Sequence, residues 1–244
     1  DSKLMHTEDK QHILKNLNKE NLFLKPFPYF IFDNLFPDQF YSRLIKMKPL
    51  DDQFEKTDPN RTSNQNALKY RRRFSFIKNI SNLDKERKLF WKNFVDFFTS
   101  QDFVYNLLLM LKDPILKRYK INELDQLNMN IRMELIRDSG GYMIAPHTDS
   151  PKKILTLLIY IPNDNDNLDL GTSLYEPKDK EFISEEAYQF EFQNFNEIKK
   201  MPYKKNFAFG FLKNERSFHG RSIIDKKFSG KRDWINYSLQ HKIN

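Results

Sequence analysis

The sequence contains no cysteine among its 244 residues, which removes disulfide scaffolds, thiolate metal sites and cysteine nucleophiles together. Any metal must therefore be held by His, Asp or Glu. Histidine is scarce as well: there are five, and His6, His12 and His241 lie near the ends, leaving His147 and His219 in the interior. No apolar run approaches the ~20 residues that cross a bilayer. The opening residues, Asp1-Ser2-Lys3-Leu4-Met5, lack the apolar stretch of a secretory signal. A soluble, cytoplasmic protein with no membrane partner is the expectation. Internal repeats and extended low-complexity tracts are missing too.

What is present is core material. Hydrophobic residues make up 39% and aromatics 15%, with 23 Phe, enough for a folded chain of one domain at the usual size of roughly 100 to 200 residues. The net charge of +8 admits an anionic partner, nucleic acid or a small acidic substrate, but the charge is scattered, as on an ordinary solvated surface.

Residues 1–22 are too sparse in leucine for more than a short helix. Phe27 to Asp33 reads as an edge strand and Pro37 to Met47 as a helix. Residues 51–70 are polar and read as a long loop, a candidate lid. Arg71 to Ile77 reads as a strand. A helix from about Asp84 to Ser100 puts Phe90, Phe94, Phe97 and Phe98 on one face, a core face or a dimer contact. A second helix runs from Gln101 to Lys112, where Asp113-Pro114 stops it or opens the next. From Leu127 onward short strands follow: Asn128–Arg137, Lys153–Ile161, Thr172–Tyr175, Tyr188–Phe192, Asn206–Leu212, Ser217–Ile224 and Arg232–Gln240. Turn signals separate them at Ser139-Gly140-Gly141 and in the polar stretch 162–169. The expected class is α+β, one domain in which residues 1–126 give mainly helical support with edge strands and residues 127–241 form a sandwich or barrel.

The chemistry concentrates in that second part. In His147-Thr148-Asp149 the imidazole and the carboxylate are two residues apart, so in extended backbone both leave the same face and can bind one ion. His219 follows another apolar strand pattern, and a closed β-fold can bring it to the first pair. Two His and one carboxylate on one face of an octahedron leave three open positions, which suits a non-haem Fe(II) oxygenase. Arg232, at the start of the last strand, offers a guanidinium fork that can hold a carboxylate bidentately.

With these residues the sequence resembles the Fe(II)/2-oxoglutarate-dependent oxygenases, and among them the prolyl 4-hydroxylase-like branch. The resemblance spans about residues 128–240 and rests on Gly140-Gly141-Tyr142-Met143-Ile144-Ala145-Pro146-His147-Thr148-Asp149, Leu155 to Ile161, Ser217-Phe218-His219-Gly220 and Arg232. It implies a double-stranded β-helix, or jelly roll. It further implies His147, Asp149 and His219 as catalytic metal ligands. Arg232 and Tyr160 would hold the distal carboxylate of 2-oxoglutarate, with Thr156 as a further co-substrate contact. Lys231 competes with Arg232, since strand phase decides which points inward. Arg137 stands where prolyl hydroxylases often carry a tyrosine; it is a candidate contact for substrate or for the keto-acid end of 2-oxoglutarate, with an exposed strand-end arginine as the alternative. Mid-barrel glycines are reduced to Gly171.

The implied activity is hydroxylation of a C–H bond, of peptidyl or free amino acid, using Fe(II), 2-oxoglutarate and O2, with ascorbate as an additional reductant. Retention of Asp149 favours hydroxylation over halogenation. Because the histidines must be neutral to bind metal, activity is expected to fall in mild acid. Arg71-Arg72-Arg73 with Phe74 and Phe76 offers a nucleic-acid surface, opposed by plain strand alternation. A nucleic-acid demethylase of the same superfamily and a cupin-type metal protein are the alternatives. A monomer or homodimer is expected.

Overall fold

The computed structural model describes residues 4–242 apart from 63 and 164–166, so part of the expected 162–169 turn lies outside the described residues. In chain order the helices are α1 (Thr7–Asn16), α2 (Asp38–Lys46), α3 (Gln65–Tyr70), α4 (Phe76–Asn79), α5 (Lys85–Phe98), α6 (Gln101–Met110) and α7 (Lys112–Tyr119). The strands of the N-terminal half are β1 (Leu22–Phe23), β2 (Tyr29–Asp33), β3 (Glu55–Lys56) and β4 (Arg71–Ser75). Those of the second half are β5 (Met129–Asp138), β6 (Ile144–His147), β7 (Lys153–Tyr160), β8 (Ser173–Pro177), β9 (Phe195–Lys200), β10 (Phe207–Leu212), β11 (His219–Arg221) and β12 (Arg232–His241). No described helix is long and apolar enough to cross a membrane.

The strands form two antiparallel sheets, one of eight in the order β1-β2-β10-β7-β12-β5-β4-β3 and one of four in the order β6-β11-β8-β9. Strand periodicity sorts the side chains of the larger sheet. One face carries Leu135, Leu155, Leu157, Ile159, Ile235 and Tyr237, which pack with the helices in the larger apolar core. The opposite face carries Ile136, Leu158, Tyr160, Phe209 and Trp234, which pack with Leu174 of the smaller sheet. The chamber described below lies between the two sheets.

Helix α5 begins where Asp84 accepts the backbone N–H groups of Glu86 and Arg87, and it buries Phe90, Trp91, Phe94, Phe97 and Phe98. These rings pack on Phe36, Phe40 and Tyr237. The Tyr237 hydroxyl donates to the Phe98 carbonyl at 2.9 Å, tying the helical layer to β12. Pro114 lies within the first turn of α7, so Asp113-Pro114 opens a helix and does not merely end one.

Three expectations need correction. Tyr188–Phe192 is not a strand: its aromatic density reflects packing of Phe190 and Phe192 around Tyr175, Phe195 and Phe218. The strand follows at β9, an edge whose residues after Phe195 are exposed and largely charged, a pattern with no apolar alternation to read. Strand β2 is not at the sheet edge, because the two-residue β1 covers it. Residues 51–70 are not a long loop: they hold β3, α3 and short 3-10 turns. Asn66 pins the segment, donating to the Gly141 carbonyl at 2.9 Å and accepting the Met143 N–H at 2.7 Å.

Candidate metal centre and adjoining chamber

Strands β6 and β11 pair so that His147 and His219 are directly opposite in register, with ring centroids 4.3 Å apart. Each ring is held the same way: Nδ1 is 2.9 Å from the carbonyl two residues back, Ala145 for His147 and Ser217 for His219. A proton on Nδ1 satisfies that carbonyl and leaves Nε2 with its lone pair, the tautomer a metal requires. The two Nε2 atoms lie 3.8 and 3.5 Å from Asp149 Oδ1. All three donor atoms fall within 4.8 Å of one another, and all three residues are buried.

The other carboxylate oxygen is engaged. Asp149 Oδ2 accepts the Thr156 hydroxyl at 2.7 Å and faces Lys153 Nζ at 3.2 Å. Thr156, expected to touch co-substrate, lines the chamber and donates to the carboxylate, leaving Oδ1 aimed at the histidines. Burial raises the Asp149 pKa, but Lys153 and the histidines outweigh it and hold the group well below the ordinary carboxylate range. Burial, reinforced by His219, pushes His147 down to about 3. That shift favours the neutral ring that a metal ion requires.

Gly220 makes the strand pairing possible. A Cβ there would come within 2.6 Å of the Ile144 carbonyl, so only glycine lets β11 approach β6 closely enough to put the histidines side by side.

The centre opens on a cavity of about 430 Å³ whose lining includes His147, Asp149, His219, Thr172, Arg221 and Arg232. Strand phase turns Arg232 inward, with 1% exposure, and leaves Lys231 exposed. Arg232 donates to the Leu170 carbonyl (2.5 Å), Asp138 (2.8 Å) and the Thr172 hydroxyl (2.9 Å). Asp138 also receives a bidentate pair from Arg71 at 2.6 and 3.0 Å, and Arg71 lies over the Tyr142 ring at 4.1 Å.

Arg221, two residues after His219, sends its nitrogens only to the carbonyls of Ser222, Asp169 and Gly171. Burial first, and then Arg232, bring its pKa down to about 10. Arg71 and Arg232 thus share Asp138 as their carboxylate, while Arg221 is ion-paired to none among the described residues, leaving buried positive charge at the deep end. A buried surplus of this kind is relieved by an anionic ligand.

Two expected contacts lie elsewhere. Tyr160 is fully buried behind this cluster: its hydroxyl accepts the Thr172 N–H at 2.8 Å, and its ring packs on Tyr203 and Phe207. It braces Thr172 and does not line the cavity. Arg137 is on the opposite face of β5 from Ile136 and Asp138, because the side-chain period is two. There it forms paired bonds to Asp233, both 2.8 Å, and a third to Asp51 at 2.7 Å, over the Phe54 ring. It is a structural ion pair between layers.

The sequence reading missed Asp138, Thr172 and Arg221. A signal existed for Arg221, since His219-Gly220-Arg221 puts the arginine on the histidine's side of the strand. Asp138 could be found only from the β5–β12 register, which sets it opposite Arg232.

The fold is that of 2-oxoglutarate- and Fe(II)-dependent oxygenases. An oxidoreductase of the 2OG-Fe(II) oxygenase family from Burkholderia pseudomallei matches with a TM-score of 0.50 at 8% identity, over 96% of this chain and 91% of that one. A Pseudomonas putida prolyl-4-hydroxylase matches at 0.51 and 8%, over 88% and 93%. SnoN, a non-haem alpha-ketoglutarate-dependent epimerase from nogalamycin biosynthesis, matches at 0.52 and 9%, over 87% and 76%. No family model and no curated protein matches the sequence. At such identity the likeness carries the fold, and the activity must be argued from the site.

Proposed function

We propose that the protein is an Fe(II)- and 2-oxoglutarate-dependent dioxygenase that hydroxylates a C–H bond. On this reading residues 127–241 form a double-stranded β-helix core, supported by residues 1–126. The observation that carries it is the convergence of His147, Asp149 and His219 at one wall of a chamber whose deep end holds more guanidinium than carboxylate. The donor set fits a hard-to-borderline divalent ion with open positions, and the arginine surplus fits a dicarboxylate.

His147 Nε2, His219 Nε2 and Asp149 Oδ1 would hold iron, which with 2-oxoglutarate and O2 supplies the oxidising power for C–H hydroxylation and yields succinate and CO2. The chain's own residues do the rest. Ala145 and Ser217 carbonyls fix the imidazole tautomers, while Thr156 and Lys153 turn the carboxylate. Arg232 and Arg221, steadied by Asp138 and Thr172, receive the far carboxylate of the co-substrate. Tyr142, Leu158 and Trp234 wall the chamber and limit water there.

The prolyl 4-hydroxylase-like motif supports an amino acid, free or peptidyl, as the group hydroxylated. Succinate release from 2-oxoglutarate tests the reading. It should require Fe(II) and O2, rise with proline peptides or amino acids, and vanish in His147→Ala and Asp149→Ala. An iron-loaded protein that forms no succinate with any of these pools would contradict it.

A further inference from the structure

Arg71, Arg72 and Arg73 are not a surface stripe. In β4 the alternation turns Arg71 and Arg73 into the chamber and leaves Arg72 exposed. Arg73 belongs to a second cluster on the chamber wall. Glu134, 2% exposed, accepts Arg61 at 2.6 Å, Arg73 at 2.8 Å and Arg132 at 3.1 Å. Three positive charges against one negative leave a surplus of two. Exposed Lys152 adds to it along the same cavity, where Glu134 and Asp149, the latter paired with Lys153 at 3.2 Å, are the only carboxylates among the described lining residues.

The cluster also carries donors with nothing to bond. Arg73 Nε and Asn64 Nδ2 are buried without a hydrogen-bond partner among the described residues, and both residues line the chamber. An unpaired buried donor costs on the order of 1–3 kcal/mol unless a ligand satisfies it. Crowding is evident at Arg73, whose pKa is depressed by burial first and by Arg71 second.

Its position separates it from the metal and from the co-substrate arginines. Ser238 of β12 stands between Thr156 and Arg132 in one row across the sheet. At ~4.8 Å per strand, Arg132 is about 10 Å from the strand that orients Asp149. That is the span of a small molecule reaching from the metal to the wall.

We propose that this wall is the substrate-recognition site and that it takes a small molecule bearing a phosphate or carboxylate group, held by Arg61, Arg73 and Arg132 with Asn64. The proposal rests on the oxygenase reading for its reaction, and it narrows that reading's substrate. A free amino acid or a phosphorylated metabolite satisfies the wall, whereas a neutral peptidyl proline does not. The volume of about 430 Å³ is in the range of small-molecule sites.

The test is calorimetric titration of the Mn(II)-loaded protein, with 2-oxoglutarate saturating, against inorganic phosphate, free proline and a single-stranded oligonucleotide. Phosphate or proline should bind alongside 2-oxoglutarate, and the Arg61→Gln/Arg132→Gln protein should bind that probe at least tenfold more weakly while its affinity for 2-oxoglutarate stays within twofold. Glu134→Gln, which removes the competing carboxylate, should bind the anion more tightly. Which of the two probes responds distinguishes a phosphoryl from a carboxylate substrate. Anion binding that ignores these substitutions, or that only displaces 2-oxoglutarate, overturns the proposal. So does an arginine-dependent response from the oligonucleotide alone, which would assign the wall to nucleic acid. If Mn(II) and 2-oxoglutarate fail to bind while arginine-dependent anion binding persists, the oxygenase reading falls and the anion site stands.

Discussion

Thr156→Val isolates the orientation of the metal carboxylate. The substitution keeps the side-chain shape in β7, where Thr156 is 4% exposed, and removes one hydrogen bond, the 2.7 Å donation to Asp149 Oδ2. Hydrogen bonds to charged acceptors contribute about 1.5–3 kcal/mol, equivalent to about 10- to 150-fold in an equilibrium constant. Outer partners of metal ligands typically contribute 10–100-fold in metal affinity. Lys153 still faces the same oxygen at 3.2 Å, so the lower end is expected: a loss of about tenfold. Competition titration with Mn(II) or Co(II) reads the affinity, and thermal unfolding of the metal-free protein checks that the fold is intact. Thr156→Ser, which keeps the donor, should stay near wild type. A valine variant binding metal within twofold of wild type would refute the claim that this hydroxyl fixes the carboxylate.

Four further outcomes follow from the same geometry. Gly220→Ala should separate β11 from β6 and weaken metal binding at least tenfold, measured by the same titration. Arg221→Met should raise the dissociation constant of 2-oxoglutarate about tenfold with metal affinity unchanged, read by calorimetry on Mn(II)-loaded protein. Arg137→Ala should cost about 1.5–3 kcal/mol of stability in a denaturant titration, because it removes the paired bonds to buried Asp233 while Lys48 still faces that carboxylate at 2.8 Å, yet leave 2-oxoglutarate affinity unaltered. In the metal-free protein, His147 has a folded pKa of about 3 against roughly 6.5 unfolded. Its contribution is complete above about pH 6.5 and is lost as pH falls toward 3, since the unfolded chain takes up the proton and the folded one does not. Between pH 6.5 and 5 the loss is about 2 kcal/mol, and His147→Asn should flatten that slope in urea titrations at the two pH values.

The metal triad was legible because its chemistry is local. His147 and Asp149 share a face through spacing alone, and His219 was the one other histidine far from both ends. The strand carrying His147 was not legible: β6 has four residues, and Pro146 within it reads as a break. Its partner β11 is shorter still, and the pairing depends on Gly220, whose role appears only when the opposing carbonyl is in place. Arg232 against Lys231 was a question of phase that pairing with Asp138 answers.

The errors have the same origin. Arg137 was one residue away from a different fate, and register placed it on the face of β5 opposite Ile136 and Asp138, against Asp233 and Phe54. Tyr160 faces the chamber side of β7 but lies too deep, behind Thr172. The Glu134 cluster joins three stretches of chain, at positions 61, 73 and 132–134, and the strand period connects only Arg132 with Glu134.

Anaerobic addition of 2-oxoglutarate to the Fe(II)-loaded protein tests the central claim most directly. Wild type should develop the visible charge-transfer band of a chelated ferrous complex at one equivalent of iron, and His219→Ala, folded but lacking one donor, should not. A wild-type protein that binds both without the band, or a His219→Ala protein that keeps it, would contradict a ferrous centre built from His147, Asp149 and His219.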